Sequence, residues 1–255
     1  MGKSKDLATG ETRFVNTAGD TMTGNLAINN ASGSQVTLHR TDTTIANDDL
    51  LGQVIISGDD ADTNASGTRG FIRGRSQGTG RGLKMEFGTA GGGVAIGDPR
   101  MTINADGYVT KPKQPCFLAR GNTGSWVTVS SGAEQNVAFG NVVFDLANNF
   151  STSTNRFTAP VAGKYLFHFH CYMRLTSNDD DTNYATTRFY KNGSVYENYH
   201  NILGYNNSGD SDQIGPLTAI IDLAATDYVT AGLKANSGNA EFYQPNCNFT
   251  GYLLG

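Results

Sequence analysis

Short runs of alternating apolar and polar residues follow one another along residues 31–111, separated by glycine, aspartate or asparagine. Such alternation predicts half-buried β-strands, and the residues between the runs predict turns. The runs are "SQVTLHR" (34–40), "GQVIISG" (52–58), "GFIRGRS" (70–76), "GLKMEFG" (82–88), "GVAIG" (93–97) and "MTINADGYVT" (101–110). No apolar spacing of three and four residues lasts long enough to predict a helix that buries a stripe.

Each of these runs carries few apolar side chains, so one copy of residues 31–111 has too little apolar surface for a sizeable core. A shaft in which several chains share one core would bury that surface. A monomeric barrel is the alternative that the same pattern leaves open.

The pattern changes at Pro112 and Pro115, after which aromatic residues become dense and the strand-like runs become longer. Within "FYKNGSVY" (189–196), Asn192 and Gly193 predict the two central residues of a type I′ hairpin turn. A second hairpin is predicted around Ala224–Asp227. Residues 112–255 are therefore predicted to form an antiparallel sandwich or jelly roll.

The run "KYLFHFHCYM" (164–173) has two bulky faces. Tyr165, Phe167, Phe169 and Cys171 share one face, and Leu166, His168, His170 and Tyr172 share the other. A sheet with one wet face alternates apolar with polar residues, whereas neither face here carries a formal charge beyond the first lysine. We therefore expect one face to fill the sandwich and the other to meet a second subunit.

Composition narrows the class of protein. The chain has 19 Lys and Arg against 23 Asp and Glu, a net charge of −4, which argues against nucleic acid as a partner. No segment approaches the roughly 18 apolar residues of a membrane span, and the N-terminus lacks the apolar core of a signal peptide. We expect synthesis in a cytoplasm, and we expect no membrane insertion.

The three cysteines, Cys116, Cys171 and Cys247, form no CxxC motif and are expected to be free thiols.

Residues 115–255 resemble the C1q-like domains. The resemblance lies in "RFTAPVAGKYLFHFHCYM" (156–173), "FYKNGSVY" (189–196), "LTAIIDLAATDYVTAGL" (217–233) and "CNFTGYLLG" (247–255). It implies a ten-stranded C1q/TNF-like jelly roll that forms a homotrimer about a three-fold axis. At the trimer interface we expect His168, His170, Tyr172 and Tyr252.

A second resemblance lies near the N-terminus. "GDTMTGNLAI" (19–28) is similar to a short repeat of bacteriophage tail fibres, and "MTINADGYVT" (101–110) resembles the phrase that precedes many fibre tips. The resemblance implies an attachment segment (1–30), a trimeric β shaft (31–111) and a jelly-roll tip (112–255). It also implies a virion protein that is assembled in the host cytoplasm, with other phage tail or baseplate proteins as partners.

The expected activity is adhesion to a host cell-surface glycan or lipopolysaccharide. Aromatic and amide side chains suit glycan binding, and the candidates are Trp126, Tyr184, Tyr205, Asn206 and Asn207. Acidic loops suit calcium, which some C1q-like heads bind. The candidate calcium ligands are Asp179, Asp180, Asp181, Asp210 and Asp212. An acidic loop that is only solvated is the alternative.

Other kinds of functional site have weaker support in this sequence. His168 and His170 could present two imidazoles to a metal, but packed, hydrogen-bonded histidines fit better because no further ligands accompany them. The run "GRSQG" (74–78) matches Gly-x-Ser-x-Gly around Ser76, but its setting predicts a turn and not a nucleophile elbow, so no enzyme is expected. The basic run 69–84 could bind an anionic polysaccharide or could simply be a solvated stripe, and its cations are Arg69, Arg73, Arg75, Arg81 and Lys84.

Three alternative functions stay open: a purely structural fibre component, a polysaccharide depolymerase and a non-viral bacterial C1q-like protein.

Overall fold

The structure of the protein, a computed structural model, describes residues 25–59, 61, 66–78, 80–91, 98–122, 124–175, 184–203 and 213–255. The side chains of 197–203, 213–215 and 237 lie outside this description. The described residues form strands, turns and extended segments and contain no helix. In particular, no helix long and apolar enough to span a membrane occurs among them.

An N-terminal sheet of five antiparallel strands precedes the sandwich. The strands are β1 (Leu50–Gly58), β2 (Gly67–Ser76), β3 (Leu83–Thr89), β4 (Met101–Ile103) and β5 (Val109–Thr110). They lie in chain order in the sheet. Four of the six predicted runs are confirmed as these strands. Residues 93–97 and most of the motif at 19–28 lie outside the described residues.

The strand predicted at residues 34–40 is wrong. Val36 and Leu38 are exposed there, and no strand precedes Leu50 in the described part of the chain. Alternation alone does not make a strand, because a strand also needs a partner for its backbone groups.

The N-terminal sheet has almost no core of its own. Phe71 is its one fully enclosed apolar side chain among the described residues, and it lies directly over Gly88. Val54, Ile55 and Ile56 follow one another on edge strand β1 and are all exposed, although neighbouring side chains point to opposite faces. The described strands form an open sheet, so the alternative of a monomeric barrel is not supported.

Residues 116–255 form a sandwich of two antiparallel sheets. Its strands are β6 (Cys116–Arg120), β7 (Trp126–Val129), β8 (Glu134–Asn136), β9 (Asn141–Leu146), β10 (Phe150–Ser151), β11 (Arg156–Thr158), β12 (Gly163–Leu175), β13 (Tyr184–Lys191), β14 (Ser194–Leu203), β15 (Gln213–Leu223), β16 (Tyr228–Ser237) and β17 (Ala240–Leu253). The front sheet has the order β15-β12-β17-β6-β9, with β7 also on β17. The back sheet has the order β10-β11-β16-β13-β14, with β8 also on β16. The described residues thus make twelve strand segments, where the resemblance implies ten.

Aromatic rings fill the space between the two sheets. On β12, Tyr165, Phe167 and Phe169 are fully buried while the alternate side chains are half-exposed, which confirms the expected core face. Phe117 from β6 stacks on Phe157 from β11 with 5.1 Å between ring centroids. Such pairs add to the free energy gained by burying the rings.

Both predicted hairpins are present. Asn192 and Gly193 have φ angles of 51° and 82°, as a type I′ turn between β13 and β14 requires. In the turn between β15 and β16, Asp227 accepts hydrogen bonds from the Ala224 amide and the Asn192 side chain. These bonds hold the pKa of Asp227 down to about 2.

The prediction of three free thiols is wrong for two of the cysteines. Cys171 and Cys247 form a disulfide between β12 and β17, whereas Cys116 is free. The register of these two strands shifts between His170 and Tyr172. The extra residues of β17 at this irregularity bring Cys247 opposite Cys171, a meeting that their separation of 76 residues does not reveal.

Candidate binding face of the sandwich

The front sheet turns one face to the core and the other, which we call the outer face, away from it. Strand register places three successive rows of side chains across this outer face. The apolar row is Ile220, Leu166, Tyr252, Cys116 and Leu146. The middle row is Thr218, His168, Thr250, Leu118 and Phe144. The polar row is Pro216, His170, Asn248, Arg120 and Asn141.

The apolar row is open to solvent although it carries no charged residue. Ile220 is 53% exposed, Tyr252 43% and Leu146 42%. This row lies at the end of the sandwich where the chain enters and leaves, since the Leu253 amide donates to the Pro115 carbonyl at 3.0 Å. A contiguous apolar surface of this kind marks an interaction site more often than scattered single residues do.

The two histidines of β12 are held by hydrogen bonds. His168 Nδ1 lies 2.8 Å from Thr218 Oγ1, and His170 Nε2 lies 2.8 Å from the Asn248 amide nitrogen. An amide nitrogen donates, so Nε2 of His170 accepts and its ring is neutral. Burial, and secondarily the neighbouring His168, lowers the pKa of His170.

An aromatic group continues the outer face beyond the polar row. The Trp126 ring lies 5.4 Å from that of Tyr172 and 5.5 Å from that of Tyr243, measured between centroids. The Arg174 guanidinium sits 4.1 Å above Trp126, and its Nε and Nη2 both donate to Oε2 of Glu241. Arg174 is therefore occupied, and this group offers aromatic surface without an unpaired charge.

A pocket of about 340 Å³ opens between the polar row and the aromatic group. Its lining residues are Arg120, His170, Tyr172, Pro245, Asn246 and Asn248. Its volume falls within the roughly 300–1,000 Å³ of small-molecule sites. The Asn248 amide oxygen beside it is buried and has no hydrogen-bond partner among the described residues.

The structure places the predicted interface residues on one surface. His168, His170, Tyr172 and Tyr252 all lie on the outer face. Their contact with other subunits remains a prediction, because only one chain is present.

The predicted ligand-binding residues are not brought together where they are described. Trp126 lies on β7 of the front sheet, whereas Tyr184 lies on β13 of the back sheet, paired with β16. The other three, Tyr205, Asn206 and Asn207, lie outside the described residues.

All five predicted calcium ligands, Asp179, Asp180, Asp181, Asp210 and Asp212, also lie outside the described residues, so the calcium site stays a prediction. Within the described ranges, no group of three or more His, Cys, Asp or Glu side chains is placed to hold a metal.

Arg120 and Asn248 are pocket residues that the sequence analysis missed. Alternation within "CFLAR" and "CNFTGYLLG" places each of them on a strand face, but their meeting depends on the pairing of β6 with β17. No local pattern in the sequence predicts the register between β6 and β17.

The basic run of the N-terminal sheet is largely paired. Glu86 is buried and forms ion pairs with Arg73, Arg75 and Lys84, and Lys84 also pairs with Asp48. Burial raises the pKa of Glu86, but its bonds to Arg73 and Lys84 outweigh this and lower it. The cluster is therefore mainly a structural network, which weakens its case as an anionic polysaccharide site.

Comparison with known proteins shows which protein family the sandwich matches. A family model for the C1q domain matches residues 123–254. The globular domain of zebrafish complement 1qA protein aligns at 18% identity and a TM-score of 0.38, covering 56% of this chain and 98% of that one. The structure of Eiger TNF from S. frugiperda aligns at 17% identity and a TM-score of 0.40, covering 56% and 94%. No curated protein gives a significant match.

Proposed function

Because the chain belongs to the C1q domain family, we propose that it is a homotrimeric adhesion protein whose jelly-roll tip binds a glycan on a bacterial surface. C1q-like domains are often trimeric binding or adhesion modules. The C1q/TNF-like jelly roll is typically a ligand-binding or structural domain and typically not an enzyme. Adhesion therefore suits the fold better than depolymerase activity does.

The exposed apolar row carries the proposal of a trimer. Ile220, Leu166 and Tyr252 lie side by side on three paired strands, and all three are at least partly exposed in the single chain. Burying such residues contributes roughly 25 cal/mol per Å² of apolar surface. Depletion of charge together with aromatic enrichment is typical of an interface core.

The N-terminal sheet supports the same assembly. Its exposed Val54, Ile55 and Ile56 and its single enclosed phenylalanine leave much of its apolar surface without cover from its own chain. A shaft shared by three copies would supply that cover and would hold three tips together. Several weak sites on one particle then give strong overall attachment through avidity.

We place the trimer on a bacteriophage tail fibre. Support comes from the fibre-like motif at 19–28 and from "MTINADGYVT", which forms the strand–turn–strand unit of β4 and β5. On this proposal the protein is part of the virion, assembles in the host cytoplasm and contacts other tail or baseplate proteins through residues 1–30.

Adhesion is tested with fluorescently labelled full-length protein on a panel of bacterial strains. We expect binding to at least one strain, loss of binding after periodate oxidation of cell-surface sugars, and survival of binding after protease treatment of the cells. No binding to any strain would favour the purely structural alternative. Release of reducing sugar from the bound cells would instead indicate a depolymerase.

A further inference from the structure

We infer that the pocket between the polar row and the aromatic group binds a sugar ring that carries a carboxylate, such as a uronic acid unit. The inference rests on the proposed function, since it names the class of glycan that the tip would recognise. Its basis is a set of groups that strand pairing brings together at one place on the outer face.

Arg120 gives the pocket its charge. Its side chain is exposed at the end of β6 and makes no hydrogen bond or ion pair within the described residues. Among the residues that the structure describes, none that lines the pocket is acidic, so a carboxylate there meets no like charge from them. A free guanidinium matches a carboxylate with two parallel hydrogen bonds.

The remaining polar groups suit sugar hydroxyls. Asn246 and Asn248 supply amides, and His170 is neutral because it accepts a hydrogen bond at Nε2. The buried Asn248 oxygen has no partner among the described residues, so the protein alone does not satisfy the polar atoms around the pocket. An incompletely bonded amide at a pocket wall is typical of a place where water or a ligand completes the network.

Tyr172 supplies an aromatic wall. Its ring is packed against Trp126 at 5.4 Å, which fixes its orientation. The C–H groups of a sugar ring carry slight positive charge and pack on the negative face of an aromatic ring. A charged group, amides and an aromatic wall together select an acidic sugar over a neutral sugar or a small apolar molecule.

The pocket is compatible with the proposed trimer contact. Its polar row lies four residues from the apolar row along β6, β12, β15 and β17, a distance of about 13 Å. The apolar row is the surface that another copy would cover, whereas an unpaired arginine is costly to bury in a contact. The polar end of the outer face is thus the end that remains available to a ligand.

The test is calorimetric titration of the full-length protein with D-galacturonate and with D-galactose, which lacks the carboxylate. We expect galacturonate to bind roughly tenfold or more tightly than galactose. Arg120→Gln is expected to lose that preference. Lys164→Gln is the matched control, because it removes one exposed positive charge from the same strand as His170 but at the opposite end of the sandwich.

Two results would overturn the inference. One is equal binding of the two sugars by the unaltered protein, or binding of neither. The other is an Arg120→Gln variant that binds galacturonate as well as the Lys164→Gln control does. Cell binding by labelled protein separates this failure from failure of the proposed function, since adhesion that survives in Arg120→Gln leaves the adhesion role intact and places its site elsewhere.

Discussion

Gly251 shows how tightly the aromatic core is packed at the scale of one residue. A Cβ atom at this position would lie 2.6 Å from a ring carbon of Phe117 and 2.6 Å from one of Phe167. Both rings are fully buried between the sheets and belong to the same aromatic cluster. A methyl group therefore has no space unless both rings move.

We expect Gly251→Ala to lower the free energy of unfolding by about 1–3 kcal/mol, the usual cost of overpacking a core. Gly124→Ala is the control, because the nearest atom to its added Cβ is at an ordinary contact distance of 3.5 Å. Urea denaturation of both variants at one protein concentration measures the difference. Equal midpoints for the two variants would show that the core is looser than the structure indicates.

Single residues also show where sequence analysis stops. The turn at Asn192 and Gly193 was predictable because the conformation it needs is encoded by the two residues themselves. The Cys171–Cys247 bond and the meeting of Arg120 with Asn248 were not, since each depends on the register between distant strands. The conformation of a short turn can be predicted from its own residues, whereas register depends on which strands pair and how they are aligned.

Strand β12 is the element that links the core to the candidate binding face. Its alternation was predicted, and the structure confirms that Phe167 and Phe169 point inward while His168 and His170 point outward. The run "CNFTGYLLG" (247–255) supplies only the second half of a longer, irregular strand, β17. The irregularity falls at Gln244–Cys247 and contributes Pro245 and Asn246 to the pocket.

His170, one of the two outward histidines of β12, predicts that the stability of the fold depends on pH. Burial first, and then His168, lowers the pKa of His170, so the unfolded chain binds a proton there more readily than the folded chain does. The stability from this residue is complete above the ordinary histidine pKa of about 6.5 and falls as the pH drops below it. The groups that face His170 are His168 on its own strand, Asn248 on β17, Pro216 on β15 and Arg120 on β6.

We expect the unfolding temperature to fall between pH 7.5 and pH 5.5, and to fall less in His170→Gln. His39→Gln is the control, because His39 is exposed and lies outside the sandwich. Thermal unfolding followed by circular dichroism at several pH values measures this. A His170→Gln variant with the pH profile of the unaltered protein would show that another group carries the dependence.

For the whole molecule, the all-β class followed from alternation and turn residues, whereas the C1q-like sandwich followed from the resemblance of four runs within residues 115–255 to that family. The assembly does not follow in the same way. Some apolar residues are exposed in one chain, such as Val54 in the N-terminal sheet and Ile220 in the front sheet. Their exposure implies that another copy of the chain covers them, but a single chain does not show that copy. The homotrimer therefore needs a direct measurement.

That measurement is the mass of the full-length protein by light scattering, alone and with Ile220→Asp. The chain has a mass of 27.1 kDa, and we expect about three times this value for the unaltered protein. Ile220→Asp places a charge in the apolar row and is expected to weaken the trimer, whereas Val195→Asp, at an exposed apolar position on the back sheet, is expected to leave it intact. A stable, folded protein of 27.1 kDa at micromolar concentration would contradict the account.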